Sequence, residues 1–122
     1  MSFSVSVHRT PDETLFFAPV AGDGDLHQFW SVQASQLDLP LLTQVYDEGL
    51  RVSGADLGRL HDEIWTLEKR WTEIISDEEI RTYDILGRTV AVPLLAHLSH
   101  RAGSVLAAVE LAQKIDGVLT IS

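Results

Sequence analysis

Five histidines are the side chains of this sequence best suited to chemistry near neutral pH. His97 and His100 are three residues apart, a spacing that places two imidazoles on one face of a helix, where they could share a metal ion. A metal centre needs further ligands, and no acidic residue lies within one helical turn of this pair. We therefore interpret these histidines as structural or surface residues, and we expect no metal and no cofactor.

Other residue patterns give no catalytic signature. The chain has no cysteine, which excludes a thiol nucleophile, a disulfide and zinc bound through sulfur. Asp23-Gly24-Asp25 is similar to the start of a calcium loop, but the later ligands are missing. Ser104 and the other serines stand in no nucleophile-elbow context. A non-enzymatic role is favoured, and an enzyme with a ligand or metal pocket near His97 and His100 is the alternative.

The excess of acidic residues is the strongest chemical signal. Eighteen Asp and Glu stand against nine Lys and Arg, which gives a net charge of −9. A nucleic-acid binder needs a basic surface, so neither a nucleic acid nor an anionic membrane is an expected partner. A negative surface attracts a basic protein over a long range, although it also serves solubility.

The acidic residues are clustered enough to nominate a binding surface. Their densest run begins at Asp77 and is followed shortly by a further aspartate. Trp65 comes directly after a residue of an apolar helical seam, which favours a place at the core boundary. A partly exposed interface anchor among acidic residues is the alternative for Trp65. The predicted residues for binding a basic partner are Asp77, Glu78, Glu79, Asp84, Asp47, Glu48 and Trp65.

The hydrophobic pattern predicts one α+β domain over residues 1–122, a usual length for one domain. Apolar residues alternate with serines over residues 3–7, which predicts a strand with one buried face. A turn and a second short strand over 15–19 follow, and residues 118–121 are typical of a terminal strand. We expect a small antiparallel or mixed sheet that includes both termini.

Two long helices and one shorter helix are expected to cover this sheet. Apolar residues spaced by three and four predict a helix of about twenty residues that begins after Ser53 and carries Glu63 on its solvated face. Pro93 favours the start of the second long helix, which Asp116-Gly117 would end. The shorter helix begins at Pro40.

Three stretches have weaker patterns. Residues 21–25 are rich in glycine and aspartate and predict a loop, and residues 31–37 predict a further short helix. Residues 75–92 fit either an acidic loop with a short helix or a loop with a strand over 89–92.

The sequence has no run of about 18 apolar residues, and its first residues lack a secretion signal. We therefore expect a cytoplasmic protein without a membrane span.

One pattern, mainly of core leucines and a tryptophan, extends over the central and C-terminal segments: residues 37–42, Gly49, Leu57, Leu60, Glu63, Leu67, Trp71, 109–112 and 119–122. In this pattern the chain resembles a group of small acidic bacterial proteins with no assigned activity. Some members of this group resemble immunity proteins that neutralise secreted polymorphic toxins. The resemblance implies a non-enzymatic binding role for the chain after Phe29 and assigns no functional residue. A further alternative is an oligomeric subunit whose apolar stripes meet a second copy.

Overall fold

A four-stranded sheet forms the base of the structure, a computed structural model that describes residues 2–122. Its strands are β1 (Ser2–Thr10), β2 (Glu13–Gly22), β3 (Leu50–Val52) and β6 (Val118–Ile121). They lie in the order β2-β1-β6-β3, and every neighbouring pair is antiparallel. The α+β class and the pairing of the two terminal strands are thus confirmed.

Four helices and a separate two-stranded hairpin complete the fold. Helix α1 covers residues 23–36 and contains a π-helical stretch, Leu26–Ser31, between two short α-helical segments. Within residues 2–122, no helix combines the length and the apolar character that crossing a membrane requires. The other elements are α2 (Pro40–Glu48), α3 (Ala55–Ile74), β4 (Ile80–Ile85), β5 (Arg88–Pro93) and α4 (Leu94–Ile115).

The core lies between the sheet and the two long helices. The inward-facing residues of β1 are buried against α4, which also packs along α3. The apolar stripes of both long helices are buried within this single chain, so these stripes offer no surface to a second copy. The stripes consist mainly of Leu57, Leu60, Ile64, Leu67 and Trp71 on α3, and of Leu98, Ala102, Val105, Val109 and Ala112 on α4.

The loop predicted over residues 21–25 and the helix N-cap predicted at Ser53 are both wrong. Helix α1 already begins at Asp23, where acidic side chains in the first turn favour a helix N-terminus. Ser53 is not the N-cap of α3. Gly54 holds that position with φ 57°, and its carbonyl accepts a hydrogen bond from the Leu57 N–H.

Residues 75–92 form a hairpin rather than an acidic loop with a short helix. β4 pairs with β5 in a regular antiparallel register from Ile80 opposite Pro93 to Ile85 opposite Arg88. The strand predicted over 89–92 is confirmed within β5, whereas β4 was not expected. Leu94 donates its N–H to the Glu79 carbonyl at 2.9 Å, which closes the base of the hairpin where α4 begins.

Glu63 lies in the interior and not on the solvated face of α3 that the sequence predicted. Its side chain is only 7% exposed, and its carboxylate accepts the backbone N–H of Leu41 at 3.1 Å and that of Leu42 at 2.9 Å. These two N–H groups belong to the first turn of α2 and have no hydrogen-bond acceptor within that helix. The N-cap residue of α2 is Leu39, whose apolar side chain cannot accept a hydrogen bond from them. Glu63 therefore caps α2 from another helix.

We predict that Glu63→Ala lowers the free energy of unfolding by about 1–3 kcal/mol, because two buried backbone donors lose a charged acceptor. Urea unfolding followed by tryptophan fluorescence measures the change. Glu73→Ala, on the exposed side of the same helix, is the matched control and should stay within about 0.5 kcal/mol of wild type. Equal losses in the two variants would contradict the capping role.

Candidate functional site

The acidic turn, residues 76–79, joins α3 to the β4–β5 hairpin. Ser76 donates its backbone N–H to Glu79 Oε1 at 3.3 Å, and Glu78 donates its backbone N–H to Ser76 Oγ at 3.2 Å. The Glu79 carboxylate thus stabilises the turn itself. The side chains of Asp77 and Glu78 are exposed, and neither has an ion-pair partner among residues 2–122. These two carboxylates are available to a partner.

One face of the hairpin is held against the helical body. Arg81 donates to the Asp25 carboxylate of α1, and this hydrogen bond, together with the Asp25 charge, raises the pKa of Arg81. The Tyr83 ring lies 5.6 Å from the His97 ring on α4, measured between centroids. These contacts fix the base of the hairpin in a defined orientation relative to the body.

The far end of the hairpin is an exposed apolar tip made of Ile85, Leu86 and Val90. Leu86 is 100% exposed, and it forms a two-residue turn with Gly87 in which both residues have positive φ, 51° and 79°. Such a type I′ turn strongly favours Asn-Gly, because L-residues with a bulky side chain are strained in the left-handed region. Leu86 bears this strain although its side chain is not buried by any of residues 2–122.

Four of the predicted partner-binding residues share the hairpin unit, and three do not. Asp77, Glu78 and Glu79 lie at its base, and Asp84 lies near its tip, where it accepts a hydrogen bond from Thr89 Oγ1 at 3.0 Å. Asp47 and Glu48 end α2, where carboxylates meet the negative end of a helix dipole. Trp65 lies about 13 Å before the end of α3, at 1.5 Å of rise per residue.

Trp65 is 61% exposed, so the interpretation of this residue as part of the core boundary is wrong. Its ring lies 6.4 Å from that of His61, and it borders a groove of about 500 Å³ between α3 and α4. Glu68 also borders this groove, and burial raises the pKa of its carboxyl. The groove is a second exposed feature, separate from the hairpin tip, in which one aromatic ring lies among polar side chains.

The two histidines of α4 have different surroundings. His97 is half-buried against Tyr83, and His100 is exposed. Burial and the charge of Arg101 lower the pKa of His97. Within residues 2–122, no three metal-ligating side chains come together at this pair or elsewhere. The structure thus gives His97 a packing role at the hairpin base.

The apolar tip is the feature that sequence reasoning missed. Its signal was a glycine at position 87 between two segments rich in β-branched residues, which is typical of a hairpin with a two-residue turn. A leucine at position 86, where asparagine is usual, obscured that signal. Comparisons with protein-family models, with curated proteins and with solved structures found no match.

We predict that the stability of the fold decreases as the pH falls below 6.5, the ordinary pKa of histidine, because His97 binds its proton less readily when folded. Below the lowered pKa of the folded state, the contribution is fully lost. His97→Gln should flatten this dependence in urea midpoints measured over a pH series. His100→Gln, on the exposed part of the same helix, should leave it in place, and equal flattening by both variants would contradict the assignment.

Proposed function

We propose that this protein is a non-enzymatic binding module that docks on a basic protein partner through the β4–β5 hairpin and the acidic turn. The observation that carries this proposal is Leu86, which is fully exposed and has a left-handed backbone. Left-handed geometry costs an L-residue roughly 1–2 kcal/mol. Among residues 2–122, no burial of the Leu86 side chain offsets this cost. A partner that receives the leucine side chain accounts for both features.

The neighbours of Leu86 support an apolar contact. Ile85 and Val90 lie on the same face of the hairpin as Tyr83, but they extend beyond the body and are exposed. Within residues 2–122, the outer edges of β4 and β5 have no strand beside them, since the two strands form a sheet of their own. An apolar centre surrounded by a polar rim is the usual arrangement of a protein interface, so we expect an apolar pocket on the partner.

The acidic turn supports a basic surface on that partner. Asp77 and Glu78 are exposed beside the base of the hairpin, and the whole chain has a net charge of −9. Charges at the rim of an interface mainly accelerate encounter, whereas the apolar centre determines residence time. The tip and the turn would therefore contribute to different kinetic steps of the same binding event.

Neutralisation of a basic toxin is the biological role that we propose for this binding. An immunity protein acts by occupying a surface of its toxin, which requires a projecting docking element and no catalytic residue. The resemblance proposed from the sequence, to small acidic bacterial proteins of which some resemble immunity proteins, motivates this role, and the exposed hairpin supplies an element suited to it. A cytoplasmic location would place the protein where a toxin made by the same cell must be blocked.

We predict opposite effects on stability and binding when Leu86 is replaced by asparagine. Leu86→Asn should raise the free energy of unfolding by up to about 1 kcal/mol, because asparagine tolerates the left-handed region, and it should weaken partner binding at least about tenfold. Leu86→Ala is the matched control: it removes the apolar contact but keeps the strain, so binding should fall without a gain in stability. Unchanged affinity in both variants would exclude the tip as the docking element.

We predict that the pair Asp77→Asn and Glu78→Gln slows association about threefold to tenfold and flattens its salt dependence, with little change in dissociation. Glu79 is kept because its carboxylate stabilises the turn. Surface plasmon resonance at several salt concentrations separates the two rates. The control pair, Asp62→Asn and Glu110→Gln, removes the same charge from exposed positions on α3 and α4 and should have a smaller effect.

The partner protein needed for these measurements is identified by affinity capture. The wild-type chain is the bait, and the Leu86→Ala chain is the comparison. A protein retained by the first and lost by the second is then purified and tested alone. We expect a basic protein that arrests bacterial growth, with rescue by wild type and no rescue by Leu86→Ala. A specific but harmless partner would refute the immunity role and leave the binding module, whereas an acidic partner would refute the electrostatic proposal.

A further inference from the structure

A pocket of about 280 Å³ opens on the sheet face that points away from α4, and basic side chains line it. Val5 and Val7 of β1 are buried towards the helices, so Ser6 and His8, which alternate with them, face outward. The pocket shares no residue with the β4–β5 hairpin or the acidic turn. Its principal lining residues are His8, Arg9, Thr10, Arg51 and Thr120.

The order of the strands brings these distant residues together. Thr120 on β6 lies opposite Ser6 on β1 and also opposite Arg51 on β3. His8 lies opposite Val118 on the same pair of strands. Because directly opposite residues project from the same face of an antiparallel sheet, side chains from three strands meet at this pocket.

A chain of hydrogen bonds fixes the polar wall of the pocket. Thr14 Oγ1 lies 3.2 Å from His8 Nδ1, and His8 Nε2 lies 3.0 Å from Ser6 Oγ. Ser6 Oγ in turn lies 2.7 Å from Thr120 Oγ1. Both ring nitrogens of His8 and the Thr120 hydroxyl are thus held in place, so little ordering is needed when a ligand binds.

The charge of the pocket contrasts with that of the chain. Neither Arg9 nor Arg51 has an ion-pair partner within residues 2–122, whereas Arg59 and Arg81 each pair with an aspartate. Two arginines without an ion-pair partner among residues 2–122 therefore contribute to the lining of one small pocket in a chain of net charge −9. At physiological salt, charges are screened over about 8 Å, so a local positive site persists on an acidic protein.

We propose that this pocket binds a phosphate group, either as inorganic phosphate or at the end of a small phosphate monoester. Guanidinium groups present paired donors that match phosphate oxygens, and two of them balance the charge of a dianion. The hydroxyls of Thr10 and Thr120 provide further donors for a tetrahedral group. A volume of about 280 Å³ lies just below the range typical of drug-sized ligands, which favours a small anion.

The test is an NMR titration of the ¹⁵N-labelled chain with inorganic phosphate at constant ionic strength. We expect saturable shifts of the backbone amides around His8, Arg51 and Thr120. Arg9→Gln and Arg51→Gln should each weaken phosphate binding about tenfold or more, because each removes a charge-assisted pair of hydrogen bonds. Arg51→Lys should restore only part of the loss, since a lysine cannot donate in bidentate fashion.

Arg59→Gln is the matched control. It removes the same charge from an exposed arginine on α3 and should change the affinity for phosphate less than about twofold.

A titration with glycerol phosphate distinguishes the two possible ligands, inorganic phosphate and a phosphate monoester. Tighter binding than that of inorganic phosphate indicates a monoester, and equal or weaker binding indicates the free anion. The proposal is overturned if Arg59→Gln weakens binding as much as Arg51→Gln does. It is equally overturned if millimolar phosphate leaves the pocket amides unshifted. Both pocket arginines are exposed, so their variants should fold.

Discussion

The close approach of Gly117 to β1 determines how the long C-terminal helix enters the sheet. A Cβ atom at this position would lie 2.8 Å from the His8 carbonyl oxygen, closer than any side chain tolerates. Asp116 precedes it with φ 54°, so helix α4 ends in a left-handed residue and the chain turns directly into β6. β6 can then insert between β1 and β3, and the remaining geometry follows from that insertion.

Both candidate surfaces depend on this arrangement. With β6 in the centre, Thr120 stands between Ser6 and Arg51, which assembles the basic pocket on the outer face. With α4 held on the inner face, its N-terminal end receives β5 at Pro93 and holds the hairpin through His97. One topological constraint thus separates a basic pocket on the sheet from an apolar hairpin tip with an acidic turn at its base.

Sequence patterns were sufficient where a single element determines its own structure. Three elements were predicted correctly: a strand from the alternation over residues 3–7, and two helices from Pro40 and Pro93 at their starts. Strand period and proline geometry depend only on neighbouring residues, so they can be read without knowing the rest of the fold. Glu63 was misplaced because helical spacing alone cannot show that α2 would bring two unpaired N–H groups to it. The basic pocket could not be predicted either, since its residues meet only through the order of the strands.

The hairpin was missed for the reason that makes it a candidate for binding. A two-stranded hairpin is marginally stable alone, and a leucine at a left-handed turn position makes it less stable still. The fold compensates at the base, where Asp25 pairs with Arg81 and Tyr83 packs against His97. A rigid base combined with a strained, exposed tip is a poor solution for stability alone. It is a good one for presenting Leu86 in a fixed position, because the hairpin itself then loses little conformational entropy when it binds a partner.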